Sequence, residues 1–82
     1  MNSPKIKHIE VLEEKYLKVL FSNGTTKKFN INIVSSRPNY ETLQNPSFLR
    51  NFKLDPTGYS VYWNDQIDIC ENELWEKGEL IT

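Results

Sequence analysis

The chain has 82 residues, with 10 Lys+Arg against 11 Asp+Glu and a formal charge of −1. This length supports one domain, with an ordered core expected over residues 5–78, and a chain so short buries only about 60% of its unfolded surface. The charges are interspersed and nearly balanced, which argues against a nucleic-acid footprint.

A single cysteine leaves no internal disulfide and suits a reducing compartment. Met1 to Lys5 is not followed by the apolar run of a signal peptide, and no stretch could span a membrane. A cytoplasmic location is therefore expected. Two Trp, four Tyr and four Phe can anchor a small core.

In chain order, residues 1–4 are expected to fray. Ile6, Ile9, Val11 and Leu12 mark a first strand over 5–12, with no clean alternation to fix its facing. Glu13-Glu14-Lys15 is a polar turn. Tyr16 to Phe21 alternates cleanly, with Leu17, Val19 and Phe21 on one face. Ser22-Asn23-Gly24 is a turn signal. A two-residue turn would set Phe29 opposite Lys18. A three-residue loop sets Phe29 opposite Leu17 and Thr25 opposite Phe21, with Gly24 at the left-handed position, so the longer loop is predicted. The return strand runs over 25–31.

Ile33-Val34 reads as one helical turn, stopped before Pro38. Tyr40 and Leu43 should pack down from a loop or a short turn. Asn45-Pro46 is a helix start, with Asn as cap and Pro at the first position, for a helix over 46–51 carrying Phe48 and Leu49. Phe52-Lys53-Leu54 reads as a strand. Asp55-Pro56-Thr57-Gly58 has the residues of a type I turn.

Tyr59 to Ile69 reads as a second hairpin. The same pairing test favours a three-residue loop, Asn64-Asp65-Gln66, with Trp63 opposite Ile67 and Val61 opposite Ile69. That loop would place Gln66 at positive φ. The last helix is predicted over 71–77, with Glu71 and Glu73 in its first turn, Lys77 in its last and Gly78 at C′.

Taken together, Tyr16-Leu17-x-Val19-x-Phe21-Ser22-Asn23-Gly24, Phe29-Asn30-Ile31, Leu43-x-Asn45-Pro46-x-Phe48, Val61-x-Trp63-x-x-x-Ile67-Asp68-Ile69 and Leu74 form a recognisable series. In order and spacing it resembles a small bacterial family, domain of unknown function 2442, from about Ile6 to Gly78. The family pattern has Asp-Gly where this chain has Asn23-Gly24, Asp where Asn30 sits and Gly where Gln66 sits. These departures leave the fold in place and weaken any essential role for a carboxylate at position 30. The resemblance implies stand-alone small proteins or N-terminal modules, some of them encoded in toxin–antitoxin-like pairs.

Few residues offer chemistry. His8 has no Cys or Glu at metal-ligand spacing and reads as a solvent-facing or half-buried strand residue. Cys70 begins the last helix, where a thiolate would be stabilised, but lacks a nearby base; it reads as a small packed residue or weak cap. Asp65 and Asp68 on a tight turn stay wet, which does not suit paired acid–base work. Tyr59, Tyr62 and Trp63 could stack bases, but Trp63 belongs to the core pattern and the adjacent Asp residues repel phosphate. Lys18, Lys27 and Lys28 form a small basic patch or simply a solvated face.

No catalytic, metal or cofactor site is predicted. The candidate interaction residues are Asp68 and Tyr62 on an outward sheet face, and Ile9 and Val11 on the first strand, a charge-diluted edge able to pair with another chain. The expected fold is α+β: a mainly antiparallel sheet of about five strands, one short central helix and one C-terminal helix. Leu17, Val19, Phe21, Phe29, Phe48, Val61, Trp63, Ile67, Ile69 and Leu74 should form its core. The expected function is a non-enzymatic protein-interaction module, partnered by another protein or a second copy. The alternative is a small ligand-binding or enzymatic domain completed in an oligomer.

Overall fold

The computed structural model describes residues 3–81. The fold is α+β, with strands β1 (Ile6–Leu12), β2 (Tyr16–Phe21) and β3 (Thr26–Asn30), helix α1 (Pro46–Arg50), strands β4 (Lys53–Leu54), β5 (Ser60–Asn64) and β6 (Ile67–Cys70), helix α2 (Glu71–Lys77) and strand β7 (Glu79–Leu80). Turns of 3-10 helix at Ile31–Ile33 and Tyr40–Gln44 fill the link between β3 and α1. The strands form two antiparallel sheets, ordered β1-β2-β3-β7 and β4-β5-β6, where the sequence suggested a single sheet of about five. Strand periodicity says which residues pair within a hairpin; it does not say whether two hairpins share a ladder.

The first hairpin has the predicted register. Leu17 lies opposite Phe29, Phe21 N–H donates to Thr25 C=O, and Gly24 sits at φ 88°. β1 explains its own irregular pattern. Its register shifts between Ile6 and His8, and this bulge turns both Ile6 and Ile9 inward despite their three-residue spacing. The turn into β2 holds Glu13 and Glu14 at φ 51° and 59°, an uncommon conformation for residues with a side chain.

The second hairpin differs from its expected form. Val61 does lie opposite Ile69, but Asn64, not Trp63, lies opposite Ile67, and the register shifts between Tyr62 and Asn64. The extra residue is absorbed as a bulge within β5, so the turn proper is Asp65-Gln66. Gln66 is not among the residues at positive φ. The Asn64 side-chain oxygen takes the place of that strain, accepting from Gln66 N–H at 2.8 Å and Ile67 N–H at 2.9 Å.

α1 starts as predicted, with Asn45 Oδ1 accepting from the N–H groups of Ser47 and Phe48 and Pro46 in the first turn. α2 has the predicted bounds, but Gly78 is its C-cap at φ −75°, not a left-handed C′ residue. A Cβ on Gly78 would lie 2.5 Å from Leu74 O and 3.1 Å from Lys27 Cβ, so the glycine is required by close approach. That approach delivers the chain into β7, which lies beyond the core expected over 5–78 and pairs with β3 at Lys27 and Lys28.

One continuous core draws on both sheets. All ten predicted core residues belong to it or touch it: nine are buried, and Phe48 is half-buried against it. Ile6, Ile9, Ile31, Val34, Leu43 and Leu49 complete the buried hydrophobic set among the described residues. Trp63 satisfies its indole N–H on Leu49 C=O at 3.0 Å. Trp75 meets Phe21 edge-on at 5.1 Å, which brings α2 against the first sheet. Of the residues expected to fray, Met1 and Asn2 lie outside the described residues. Ser3 and Pro4 are half-buried, and Ser3 donates to Asn72 Oδ1 at 2.7 Å.

Candidate interaction surfaces

Opposed residues of an antiparallel pair share a face. Across the first sheet the core-facing rows include Ile9–Val19–Lys27 and Val11–Leu17–Phe29. The alternate rows are His8–Leu20–Thr26, Glu10–Lys18–Lys28–Glu79 and Leu12–Tyr16–Asn30, and they form the outer face. Lys27 therefore leaves the basic patch expected with Lys18 and Lys28. Its stem runs inward and its ammonium sits 4.0 Å from the Trp75 ring centroid, donating to Trp75 C=O at 2.5 Å. Lys15 takes its place on the outside, where Lys15 and Lys28 reach over the Tyr16 ring at 5.4 and 4.5 Å.

Between the first two rows lies an open concavity of about 220 Å³ lined by His8, Glu10, Lys18, Leu20 and Thr26. His8 is exposed, with Nε2 3.8 Å from Glu10 Oε2. Among the described residues no group of three or more His, Cys, Asp or Glu could hold a metal ion. The sequence left this concavity unseen, because the bulge at the start of β1 decides which of its side chains face out.

β1 is an edge strand, as expected. The Phe21–Thr25 bond fixes the alternation along β2: Phe21, Val19 and Leu17 bond to β3, while Leu20, Lys18 and Tyr16 bond to β1. Ile9 and Val11 thus turn their backbone groups away from the sheet. Ile9 is nevertheless only 4% exposed, so its side chain belongs to the core and little of its backbone meets solvent. Val11 is half-buried.

On the second sheet Tyr62 lies directly opposite Asp68 on the outward face, as predicted, with Tyr62 half-buried and Asp68 exposed. Asp65 lies on the adjoining turn and is also exposed. Cys70 is exposed and makes no side-chain cap bond, so it is neither a packed residue nor a side-chain cap.

Tyr40 was expected only to pack, yet its hydroxyl donates to Asp68 C=O at 2.9 Å and accepts from Asp68 N–H at 3.4 Å. Its place is set by the turn Arg37-Pro38-Asn39-Tyr40. Tyr40 N–H closes on Arg37 C=O at 3.0 Å, and Asn39 stands at φ 74° after Pro38, the residue choices of a type II turn. Arg37 is in turn clamped bidentately by Glu73 of α2, which also accepts from Lys77. The Arg37 guanidinium holds the Glu73 carboxyl below the usual carboxylate range, against the opposing effect of burial.

The family described as Protein of unknown function (DUF2442) matches residues 6–79. The chain belongs to this family. No curated protein and no solved structure matches it significantly. The match spans every helix and strand except the last residue of β7. Among the described residues no helix is long and apolar enough to cross a membrane.

Proposed function

We propose that this member of the family is a non-enzymatic, cytoplasmic protein-interaction module, the partner of a second protein in a toxin–antitoxin-like pair. Its contact surface is the outer face of the four-stranded sheet. What supports this reading is the row Glu10, Lys18, Lys28 and Glu79, with charges of both signs, running beside half-buried Leu12, Tyr16 and Leu20. Apolar and aromatic side chains on either side of a row of mixed charge offer a protein partner both buried contact and charge complementarity. Capture from the native host tests it, using the unsubstituted chain and a Lys18→Glu/Lys28→Glu variant. One protein retained by the first and lost by the second supports the proposal. Equal capture by both removes this face from it.

The concavity beside His8 favours a second reading, a small ligand-binding or enzymatic domain completed in an oligomer. It gathers an imidazole, a carboxylate and an amine, but its volume of about 220 Å³ is below the roughly 300–1,000 Å³ of ordinary ligand pockets. A second copy would have to close it. Size-exclusion with light scattering separates the readings: a monomer that still captures its partner removes the second.

A further inference from the structure

We infer that the partner of the first sheet's outer face carries two neighbouring acidic side chains, set against Lys18 and Lys28, with neutral or basic residues against Glu10 and Glu79. This rests on the interaction role proposed above and adds the partner's chemistry to it. The four residues lie side by side across β1, β2, β3 and β7, in the order Glu10, Lys18, Lys28, Glu79. At about 4.8 Å per strand the row is about 14 Å long. The Phe21–Thr25 bond makes Lys18–Lys28 a non-hydrogen-bonded pair, the closer of the two kinds. Like charges directly opposed are unfavourable. Nothing nearby relieves them: among the described residues neither lysine has a carboxylate within ion-pair distance, and Glu10 Oε2 lies instead 3.8 Å from His8 Nε2.

Both lysines are half-buried. Lys28 reaches over the Tyr16 ring at 4.5 Å, while Lys18 lines the concavity on the other side of the row, so each is free to take its own carboxylate. Two acidic residues one helical turn apart, or opposed on neighbouring strands, have the matching spacing of about 5–6 Å. The flanking glutamates select the kind of anion. A nucleic-acid backbone or an anionic membrane is negative along its whole length and would meet Glu10 and Glu79 as well as the lysines. A folded protein can set acid against lysine and something else against glutamate. The charge order is the same in both directions, so a second copy stacked about a two-fold with the rows in register opposes like to like. Sliding by one strand sets a lysine against itself, and sliding by two leaves half of each row unopposed.

The probe is the protein that the unsubstituted chain captures from the native host after nuclease treatment. Lys18→Glu/Lys28→Glu should bind it at least about tenfold more weakly, and added salt should weaken its binding to the unsubstituted chain. Changing two neighbouring acidic residues of the captured protein to lysine should restore binding to the Lys18→Glu/Lys28→Glu chain, which also shows that this chain is folded. No capture, or equal capture by both chains, overturns the interaction role of this face and the inference with it. Capture lost with Lys18→Glu/Lys28→Glu but restored by no acidic pair leaves the face as the contact and overturns the inference alone. Binding of the unsubstituted chain to single-stranded DNA or phosphatidylserine vesicles, or self-association that Lys18→Glu/Lys28→Glu abolishes, would also overturn it.

Discussion

The loops at Ser22–Gly24 and Asn64–Gln66 pose one problem and are built by two methods. Each must reverse a strand so that apolar residues return to the core face. In the first, Gly24 adopts φ 88°, and a Cβ there would meet nothing within 4 Å. Asn23 Oδ1 accepts from Thr25 N–H at 3.0 Å, and the left-handed glycine completes the turn. In the second no glycine is present. A bulge in β5 takes up the odd residue, and the Asn64 carboxamide holds the N–H groups of Gln66 and Ile67. Both loops use an Asn carboxamide; the first adds a left-handed glycine, and the second adds a bulge and a second N–H bond. A third turn, at Gly58, combines the two demands: φ is 78°, and a Cβ would sit 2.8 Å from Ile6 O.

These differences rank the effects of substitution. Gly58→Ala should be the most damaging, at about 2–4 kcal/mol, because it meets both the left-handed penalty and fixed backbone. That backbone is the Ile6 segment, whose N–H donates to Gly58 C=O at 2.8 Å and ties the turn to β1. Urea denaturation measures it. A loss no larger than that of Gly24→Ala would show that the close approach yields easily. Asn64→Ala comes next, at about 1–2 kcal/mol, since two N–H groups lose their acceptor and the half-buried one at Ile67 is poorly placed to find water. Gly24→Ala should cost about 1 kcal/mol, from conformation alone. If Gly24→Ala proved costlier than Asn64→Ala, the carboxamide would be an ornament of the second loop and not its brace.

The first loop was legible in the sequence because pairing Leu17 with Phe29 leaves one register and Gly24 stands where that register needs it. The cap at Asn45, the bounds of α2 and most of the core were legible for the same reason: local chemistry and periodicity agree there. What escaped is non-local. Ile6 and Ile9 share a face only through a bulge, β7 exists only because β3 lies beside it, and Gly78 is glycine because Lys27 passes close by. Strand alternation already sets Lys27, opposite Val19, on the other face from Lys28; what the sequence does not carry is the position of Trp75, whose ring and carbonyl hold the Lys27 ammonium. The surfaces suffered most. Tyr62 and Asp68 followed from alternation, whereas the Tyr40 hydroxyl reaches Asp68 across 28 positions of chain, which no spacing rule connects.

The smallest expected effect is the one that most sharply separates the two ways of building a loop. A three-residue loop with Gln66 at positive φ would make Gln66→Gly stabilising, by roughly 0.5–1 kcal/mol, since glycine relieves that strain. In the observed turn Gln66 carries no such strain, because the bulge and Asn64 have removed the need for it. Glycine then brings only a freer unfolded chain, and the sign reverses to a loss of about 0.5 kcal/mol or less. The same substitution in an Asn64→Ala background gives the stronger test. Without the carboxamide the loop is free to relax toward a glycine-type turn, so Gln66→Gly should become neutral or favourable there. A double-mutant cycle on denaturation midpoints reads this directly as a coupling between two residues of one turn. Coupling near zero would mean that Asn64 and Gln66 act independently and that the β5 bulge alone sets the turn.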